Sequence, residues 1–386
     1  MKRYLISAAV VLIALGATVG RAEHGVSDTE IRFAQVAALD GPAAALGSGM
    51  RTGLLAAFAE ANEGGGIHGR TVALDSYDDG YEPDRSLSAV ETVIADDAHL
   101  GLIGLVGTPT TAVTQPPTTD VGLPFIGPFT GAGFLRDAYF DNVLNIRASY
   151  AAETEEWIRY LIDDLGLERI AILYQNDAFG FVGLDGTNQA AGRRGVELVS
   201  QGTYERNTVE VDAALESIYA AEPEAVVMVG AYRPVAAFIR RSRAAGHDPV
   251  FVTISFVGSD ALSRELGPDG EGVVISQVVP FPWDGTLPIV AEYHAAMTAQ
   301  DADAQPDFVS LEGYLVGRVA LRALEAAGEE LDRWSFLDAL NGLGGFDLGG
   351  LAFEYGEGDN QGLDDVFLTR ITADGTFETI GGTGGD

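Results

Sequence analysis

Apolar runs with strand-like and helix-like spacing alternate from about residue 30 to residue 280. Between residues 46 and 63 the apolar side chains recur every three or four positions, which predicts an amphipathic helix that three glycines end at residues 64–66. The alternation predicts strands at residues 31–39, 71–77, 100–106, 125–126 and 143–146, with further helices at 82–95 and 108–122. Pro116 and Pro117 should kink or shorten the helix at 108–122.

The same alternation restarts near residue 148. It predicts helices at residues 157–165, 179–192 and 211–220 and strands at 170–174, 197–204, 225–229, 251–254 and 273–279. Pro234 marks the predicted first position of one more helix, which Gly246 ends. Repeated strand–helix–strand order predicts parallel sheets with helices on both faces. The fold class is therefore α/β, with two doubly wound lobes. A tail follows, with helices at 288–299, 308–327 and 332–340 and strands at 351–354 and 366–371.

The first residues predict export from the cytoplasm. A short positive start precedes an uncharged apolar stretch at residues 5–19, and Gly20 and Ala22 then supply small residues at the two positions that a signal peptidase reads. This layout is typical of a secretory signal peptide at residues 1–22, cleaved near Ala22. The stretch is shorter than the roughly 20 residues that a membrane span needs. We expect a periplasmic protein that is not embedded in the membrane.

Composition narrows the range of partners and chemistry. The 386 residues suggest two domains, and they carry 57 acidic against 23 basic side chains, for a net charge of −34. Such a surface repels phosphate backbones, so nucleic-acid binding is not expected. The chain has no cysteine, which excludes disulfides, a lipid-modified cysteine and thiolate metal sites.

Enzyme signatures are missing from the sequence. There is no phosphate-binding P-loop, no nucleophile turn of the form G-x-S-x-G and no H-E-x-x-H zinc motif. The five histidines are spread along the chain and never paired. We therefore expect no enzyme activity, no metal site and no cofactor. An enzyme that uses scattered carboxylates stays open as a less favoured alternative.

Six segments carry a family resemblance. In chain order they are AALDGP at 37–42, ANEGGGIHGR at 61–70, GTPTT at 107–111, PFIGPFTGA at 124–132, YQNDAFG at 174–180 and VGAY at 229–232. Together they resemble the substrate-binding proteins of branched-chain amino acid ABC transporters, the Leu/Ile/Val-type family of type I periplasmic binding proteins. The likeness runs from about residue 28 to the end of the chain.

The resemblance implies a Venus-flytrap architecture with a three-strand hinge. The crossings would fall near Ser149, near Val279 and at residues 353–366. The N-terminal lobe would comprise residues 23–148 and 280–355, and the C-terminal lobe 149–279 and 356–386. Such a receptor closes on a small molecule and delivers it to an inner-membrane ABC permease. A periplasmic sensor subunit for a membrane receptor kinase is the alternative.

The resemblance also implies ligand-binding residues. Thr108 follows a predicted strand and can cap the next helix, whose free N–H groups suit a carboxylate. In the family this position binds the α-carboxylate or amino group of the ligand. Core or hinge packing is an open alternative for two of the aromatic residues, Phe129 and Trp283. The remaining implied contacts are Thr130 and Gly131 from the first lobe and Phe179, Tyr232 and Ser255 from the second.

Ser255 is the position where the sequence departs from the family. It aligns roughly with the acid that pairs with the ligand's ammonium in leucine-binding members. A desolvated ammonium needs a charged partner, which a serine cannot supply. Either another acid such as Asp177 or Asp260 takes this part, or the ligand has no α-ammonium. An amino acid or a related small carboxylate or amide is therefore the expected ligand.

Overall fold

Two mainly parallel β-sheets form the frame of the chain, which a computed structural model describes over residues 24–137 and 139–380. The predicted signal peptide at residues 1–22 lies outside these described residues. The first sheet has the strand order β2-β1-β3-β4-β5, and every pair in it is parallel. Its strands are β1 (Glu30–Ala37), β2 (Thr71–Asp78), β3 (Leu102–Ile103), β4 (Phe125–Ile126) and β5 (Val143–Leu144).

The second sheet repeats this topology and extends it. Its order is β7-β6-β8-β9-β10-β13-β14, in which the first five strands are parallel and the last two antiparallel. The strands are β6 (Ile170–Gln175), β7 (Ser200–Tyr204), β8 (Ala225–Val229), β9 (Val250–Thr253), β10 (Val274–Gln277), β13 (Phe367–Ile371) and β14 (Phe377–Ile380).

Helices connect the parallel strands and bury them. Strand β8 is buried at every residue, as expected for a parallel sheet with both faces covered. The helices between the strands are α1 (Ala44–Glu63), α2 (Pro83–Asp96), α3 (Thr108–Asp120), α4 (Tyr150–Ile158), α5 (Ala178–Arg193), α6 (Asp212–Tyr219), α7 (Tyr232–Ala244) and α8 (Ser259–Leu266).

The tail returns to the first sheet. Helix α10 (Phe308–Ala327) packs on α1 at a close distance that two glycines allow, because a Cβ on Gly53 or Gly313 would collide with the backbone of the facing helix. The other elements of the tail are α9 (Pro288–Gln300), α11 (Arg333–Asn341) and a hairpin of β11 (Gly345–Leu348) with β12 (Leu351–Glu354).

The chain passes between the two sheets three times, after β5, after β10 and before β13. The first and third passages lie side by side, since the backbone N–H of Leu363 donates to the carbonyl of Ile146 at 2.9 Å. Asn145 and Gln361 form a parallel bridge in the same place. The predicted fold class, two doubly wound α/β lobes, is confirmed.

Several elements differ from their predicted bounds. Strand β3 has two residues instead of the predicted 100–106, because Gly104 takes a left-handed φ of 64° that breaks the extended run. Helix α3 contains Pro116 and Pro117 and ends at Asp120, two residues before the predicted end. Helix α7 starts at Tyr232 and places Pro234 within its first turn, where a missing N–H costs no helical hydrogen bond. The helix predicted at residues 157–165 begins earlier, as α4 at Tyr150, and continues as a π-helical stretch, Arg159–Asp164.

Candidate functional site

The turn between β3 and α3 forms the floor of the candidate site. Gly107 precedes the helix with a φ of 105°, which favours glycine, and Thr108 is the first helical residue. The hydroxyls of Thr108 and Thr130 share a hydrogen bond of 2.7 Å, and both side chains are fully buried. The predicted capping role of Thr108 was wrong, because its hydroxyl pairs with the neighbouring loop instead.

The loop that carries Thr130 continues into a close contact with the start of α4. The carbonyl of Gly131 accepts a hydrogen bond of 2.8 Å from the backbone N–H of Tyr150. A Cβ at Gly131 would come within 2.6 Å of that nitrogen, so a side chain does not fit here. Burial raises the pKa of the Tyr150 phenol to about 12, which keeps it protonated and polar beside the two threonines.

Aromatic rings from both lobes meet above this floor. The ring of Phe256, from the segment after β9, lies 5.3 Å from Phe129 and 5.9 Å from Tyr81, both of the first lobe. On the second lobe the same ring lies 4.6 Å from Phe179, whose other neighbour is Tyr150 at 5.5 Å. These five buried rings form what we call the aromatic junction. Phe129 and Phe179 were predicted as site residues. Tyr81, Tyr150 and Phe256 were not predicted from the sequence.

An acid does reach the Ser255 position, but from an unexpected element. The carboxylate of Glu153, on α4, accepts hydrogen bonds of 2.9 Å from both the backbone N–H and the hydroxyl of Ser255. It also accepts one from the hydroxyl of Ser276. Asp177 caps α5 and Asp260 lines a separate cleft, so the acid that contacts Ser255 is neither of the two expected substitutes. The sequence does contain a sign of this role, because Glu153 is an acid on the same helix face as the apolar residues Tyr150 and Trp157.

Arg147 links this acid to the first lobe. Its guanidinium donates to the Ser255 hydroxyl at 2.9 Å and pairs with Glu312 of α10 at 2.9 Å. It also stacks on the ring of Phe129, with 4.4 Å from Cζ to the ring centroid. Burial opposes the charge on Arg147, but the carboxylates of Glu312 and Glu153 outweigh it and raise the pKa of the guanidinium. The site therefore holds a buried, internally paired charge network.

Trp283 lies in a cleft apart from the aromatic junction, and Tyr232 shares no ring–ring contact with the five residues of the junction. Trp283 is 37% exposed and stacks on Phe377 at 5.5 Å, and it lines a separate cleft of about 460 Å³ with Asp260 and Arg264. Tyr232 is buried at the start of α7, with the Arg233 guanidinium 5.9 Å from its ring centroid. The structure therefore brings together Thr108, Phe129, Thr130, Gly131, Phe179 and Ser255.

Within residues 24–137 and 139–380, no group of histidine, aspartate or glutamate side chains could hold a metal ion. No helix in the same part of the chain has the length and apolar character to cross a membrane.

Known proteins resemble this chain along most of its length. The 'Leu/Ile/Val-binding protein homolog 3' of Brucella melitensis is 24% identical over 338 residues, which are 85% of this chain and 87% of that relative. The Leu/Ile/Val/Thr-binding protein of Salmonella typhimurium is 26% identical over 263 residues, covering 66% and 69% of the two chains. Among solved structures, a possible leucine/isoleucine/valine-binding protein from Rhodopirellula baltica is 38% identical with a TM-score of 0.87, over 92% of this chain and 96% of that one.

A family model described as "Periplasmic binding protein" matches residues 30–376. That range includes the first sheet, every strand of the second sheet except β14, the three passages between them and the aromatic junction. The chain therefore belongs to the periplasmic binding protein family, whose members are binding proteins.

Proposed function

We propose that this protein is a periplasmic receptor that closes two lobes over one small solute and delivers it unchanged to an inner-membrane ABC permease. The observation that carries the proposal is the aromatic junction, where Phe129 and Tyr81 of one lobe meet Phe256 of the other, with Tyr81 packed on Gly107 at the start of the Thr108 turn. Ligands of open α/β sheets bind at the carboxyl ends of the strands, which is where these residues lie. Lobe closure then follows from a ligand's greater affinity for the closed state.

We propose residues 23–148 with 280–355 and residues 149–279 with 356–386 as the two moving units. The three passages between the sheets support these boundaries. We also propose that the signal peptide is removed near Ala22. Intact mass and N-terminal sequencing of the exported protein measure that cleavage directly.

The proposed ligand is a small carboxylate or amide with an apolar body, a class that includes the branched-chain amino acids named for the relatives. The aromatic rings suit an apolar body, and the hydroxyls of Thr108 and Thr130 suit a polar head group. Since Glu153 already accepts from two serines and lies near Arg147, we propose that an α-ammonium adds little to binding.

Matched ligands test this proposal in a thermal-shift screen followed by calorimetry. L-leucine, 4-methylpentanoate and L-leucinamide share one side chain and differ in the carboxylate and the ammonium. Comparable affinity for leucine and 4-methylpentanoate supports a minor part for the ammonium, whereas binding of leucine alone contradicts it. Recovery of the bound compound unchanged by mass spectrometry supports a receptor, and conversion of it would indicate an enzyme.

Removal of one hydroxyl tests the floor of the site. We expect Thr108→Ala to weaken binding by about 1–3 kcal/mol, because it removes a polar group from the floor and leaves the buried Thr130 hydroxyl with only the Ala132 N–H as a partner. Calorimetry with the compound that the screen identifies measures the change. The control is Thr92→Ala, whose hydroxyl bonds only within the exposed face of α2. Equal affinity of both variants and the unaltered protein would place the ligand elsewhere.

A further inference from the structure

Two loops meet across the lobes at the rim of the aromatic junction. One is the turn at residues 79–82, which follows β2 at the edge of the first sheet. The other is the loop at residues 205–207, which follows β7 at the edge of the second sheet. Because both strands are outermost and both loops leave the carboxyl ends, the contact lies where the lobes separate during opening.

Charged and polar groups hold these loops together. The Arg206 guanidinium pairs with Glu82 of the opposite lobe at 2.9 Å and with Asp177 of its own lobe at 2.9 Å. The side-chain amide of Asn207 donates to Glu82 at 2.7 Å and to the carbonyl of Gly80 at 3.0 Å. Three of these four interactions join the two lobes.

The turn that is held in this way carries Tyr81 into the site. Tyr81 has a φ of 62°, a conformation that a bulky residue adopts only when its surroundings enforce it. The Asp79 carboxylate accepts from its backbone N–H at 2.7 Å, and the Gln175 amide of the other lobe donates to its hydroxyl at 3.2 Å. The ring packs so closely on Gly107 that a Cβ there would collide with it.

A positive side chain at this contact matters because the chain as a whole is strongly negative. With a net charge of −34, the two lobes repel one another as they approach. Arg206 places one positive charge between a carboxylate of each lobe, and its side chain is only 22% exposed. Glu82 and Asp177 raise the pKa of this guanidinium against the effect of its partial burial. A planar guanidinium can serve two carboxylates at once, which a lysine ammonium does less well.

We propose that Arg206 and Asn207 form an interlobe clasp that holds the receptor closed and keeps Tyr81 over the Thr108 turn. They are positioning residues, because they act on Glu82 and on the turn at residues 79–82. The clasp therefore sets the balance between open and closed lobes and with it the lifetime of the closed state. This inference goes beyond the proposed function, since it applies whatever the solute is.

Distance measurements between the lobes test the clasp without any ligand. The full chain has no native cysteine, so Glu91→Cys on α2 and Glu216→Cys on α6 provide two exposed and unique positions for spin labels. Double electron–electron resonance then gives the fractions of short and long interlobe distances. We expect Arg206→Met to raise the ratio of open to closed protein about fivefold or more, the scale of one lost partly buried ion pair. Arg206→Lys should lie between this variant and the unaltered protein.

Matched variants separate the clasp from a general effect of charge or folding. Arg370→Met removes an exposed ion pair with Glu378, which joins two strands of the same lobe. This variant should leave the interlobe distances unchanged. Asn207→Gly keeps the positive φ of 60° and removes only the side chain, so it should also open the lobes. Unchanged distances in both Arg206→Met and Asn207→Gly, with melting temperatures like that of the unaltered protein, overturn the clasp. Since no solute is present, that result is independent of any failure to identify one.

Discussion

Gly107 and Tyr81 depend on each other at the floor of the site. Both take a positive φ, and the ring of Tyr81 occupies the space that a side chain at Gly107 would need. The close approach lets Tyr81 reach Phe256 of the other lobe while it packs on the turn that leads into Thr108. The absence of a side chain at Gly107 therefore allows the turn to pack against the aromatic junction.

We expect Gly107→Ala to destabilise the fold by about 2–4 kcal/mol, because backbone strain at positive φ adds to the collision with Tyr81. Urea unfolding measures the change. Gly69→Ala is the control for backbone strain alone, since Gly69 has a φ of 80° and open space around its Cα. It should cost about 1–2 kcal/mol. If both variants lose the same stability, the contact with Tyr81 contributes nothing.

At the scale of one element, a capping box stabilises the N-terminus of helix α11. The Asp332 carboxylate accepts from the backbone N–H of Ser335 at 2.8 Å, and the Ser335 hydroxyl accepts from the N–H of Asp332 at 2.9 Å. This reciprocal capping box satisfies two N–H groups that have no partner within the helix. Helix α11 in turn places Phe336 against Phe33 of β1, at 5.7 Å between ring centroids.

We expect Asp332→Ala to lower the free energy of unfolding by about 1 kcal/mol, the usual cost of losing an N-cap. The hydrogen bonds from Ser335 lower the pKa of the Asp332 carboxyl below its ordinary value of 3.8. Its contribution is therefore present above that ordinary value and lost as the pH falls through the lowered one. Chemical unfolding at pH 7 checks the variant against Asp338→Ala, an exposed acid on the same helix. Equal effects of the two substitutions would contradict the capping role.

At the scale of the whole molecule, two acids face each other across the lobes. Asp260 on α8 of the second lobe lies near Asp307, which caps α10 of the first. Burial, with the Asp307 charge, raises the pKa of Asp260 from 3.8 to about 7, and only Arg264 opposes this among the nearby charged side chains. Burial raises the pKa of Asp307 as well. Both acids lie beside the cleft that Trp283 lines.

The sign of the pH dependence follows from these raised pKa values. A carboxyl that binds its proton more tightly when folded contributes full stability below its unfolded pKa and loses it as the pH rises through the folded value. We expect the unaltered protein to lose about 3 kcal/mol from Asp260 between pH 5 and pH 8. Asp260→Asn should flatten this part of the profile, as melting temperatures across that range will show. Asp28→Asn, at an exposed acid, is the control, and parallel profiles for the two variants would contradict the prediction.

Local pattern predicted most elements of the fold. Strand β8 and helix α10 begin and end at the predicted residues, because a continuous apolar run and a long helical period each identify a buried element without reference to its neighbours. The antiparallel strand β14 was missed, since its four residues alternate too briefly to stand out from a turn. Thr108 and Thr130 were predicted by resemblance and lie together, whereas Trp283 lies in a different cleft.

The sequence by itself determined the two-lobed α/β class, the order of its elements and the lack of cysteine chemistry, because periodicity, turn residues and composition act locally along the chain. Only the tertiary structure decided which distant side chains meet. Glu153 reaches Ser255 across about a hundred residues of sequence, and Arg206 reaches Glu82 across the two lobes. Such contacts depend on how helices and strands pack in three dimensions, and no local pattern of residues shows which distant side chains will meet.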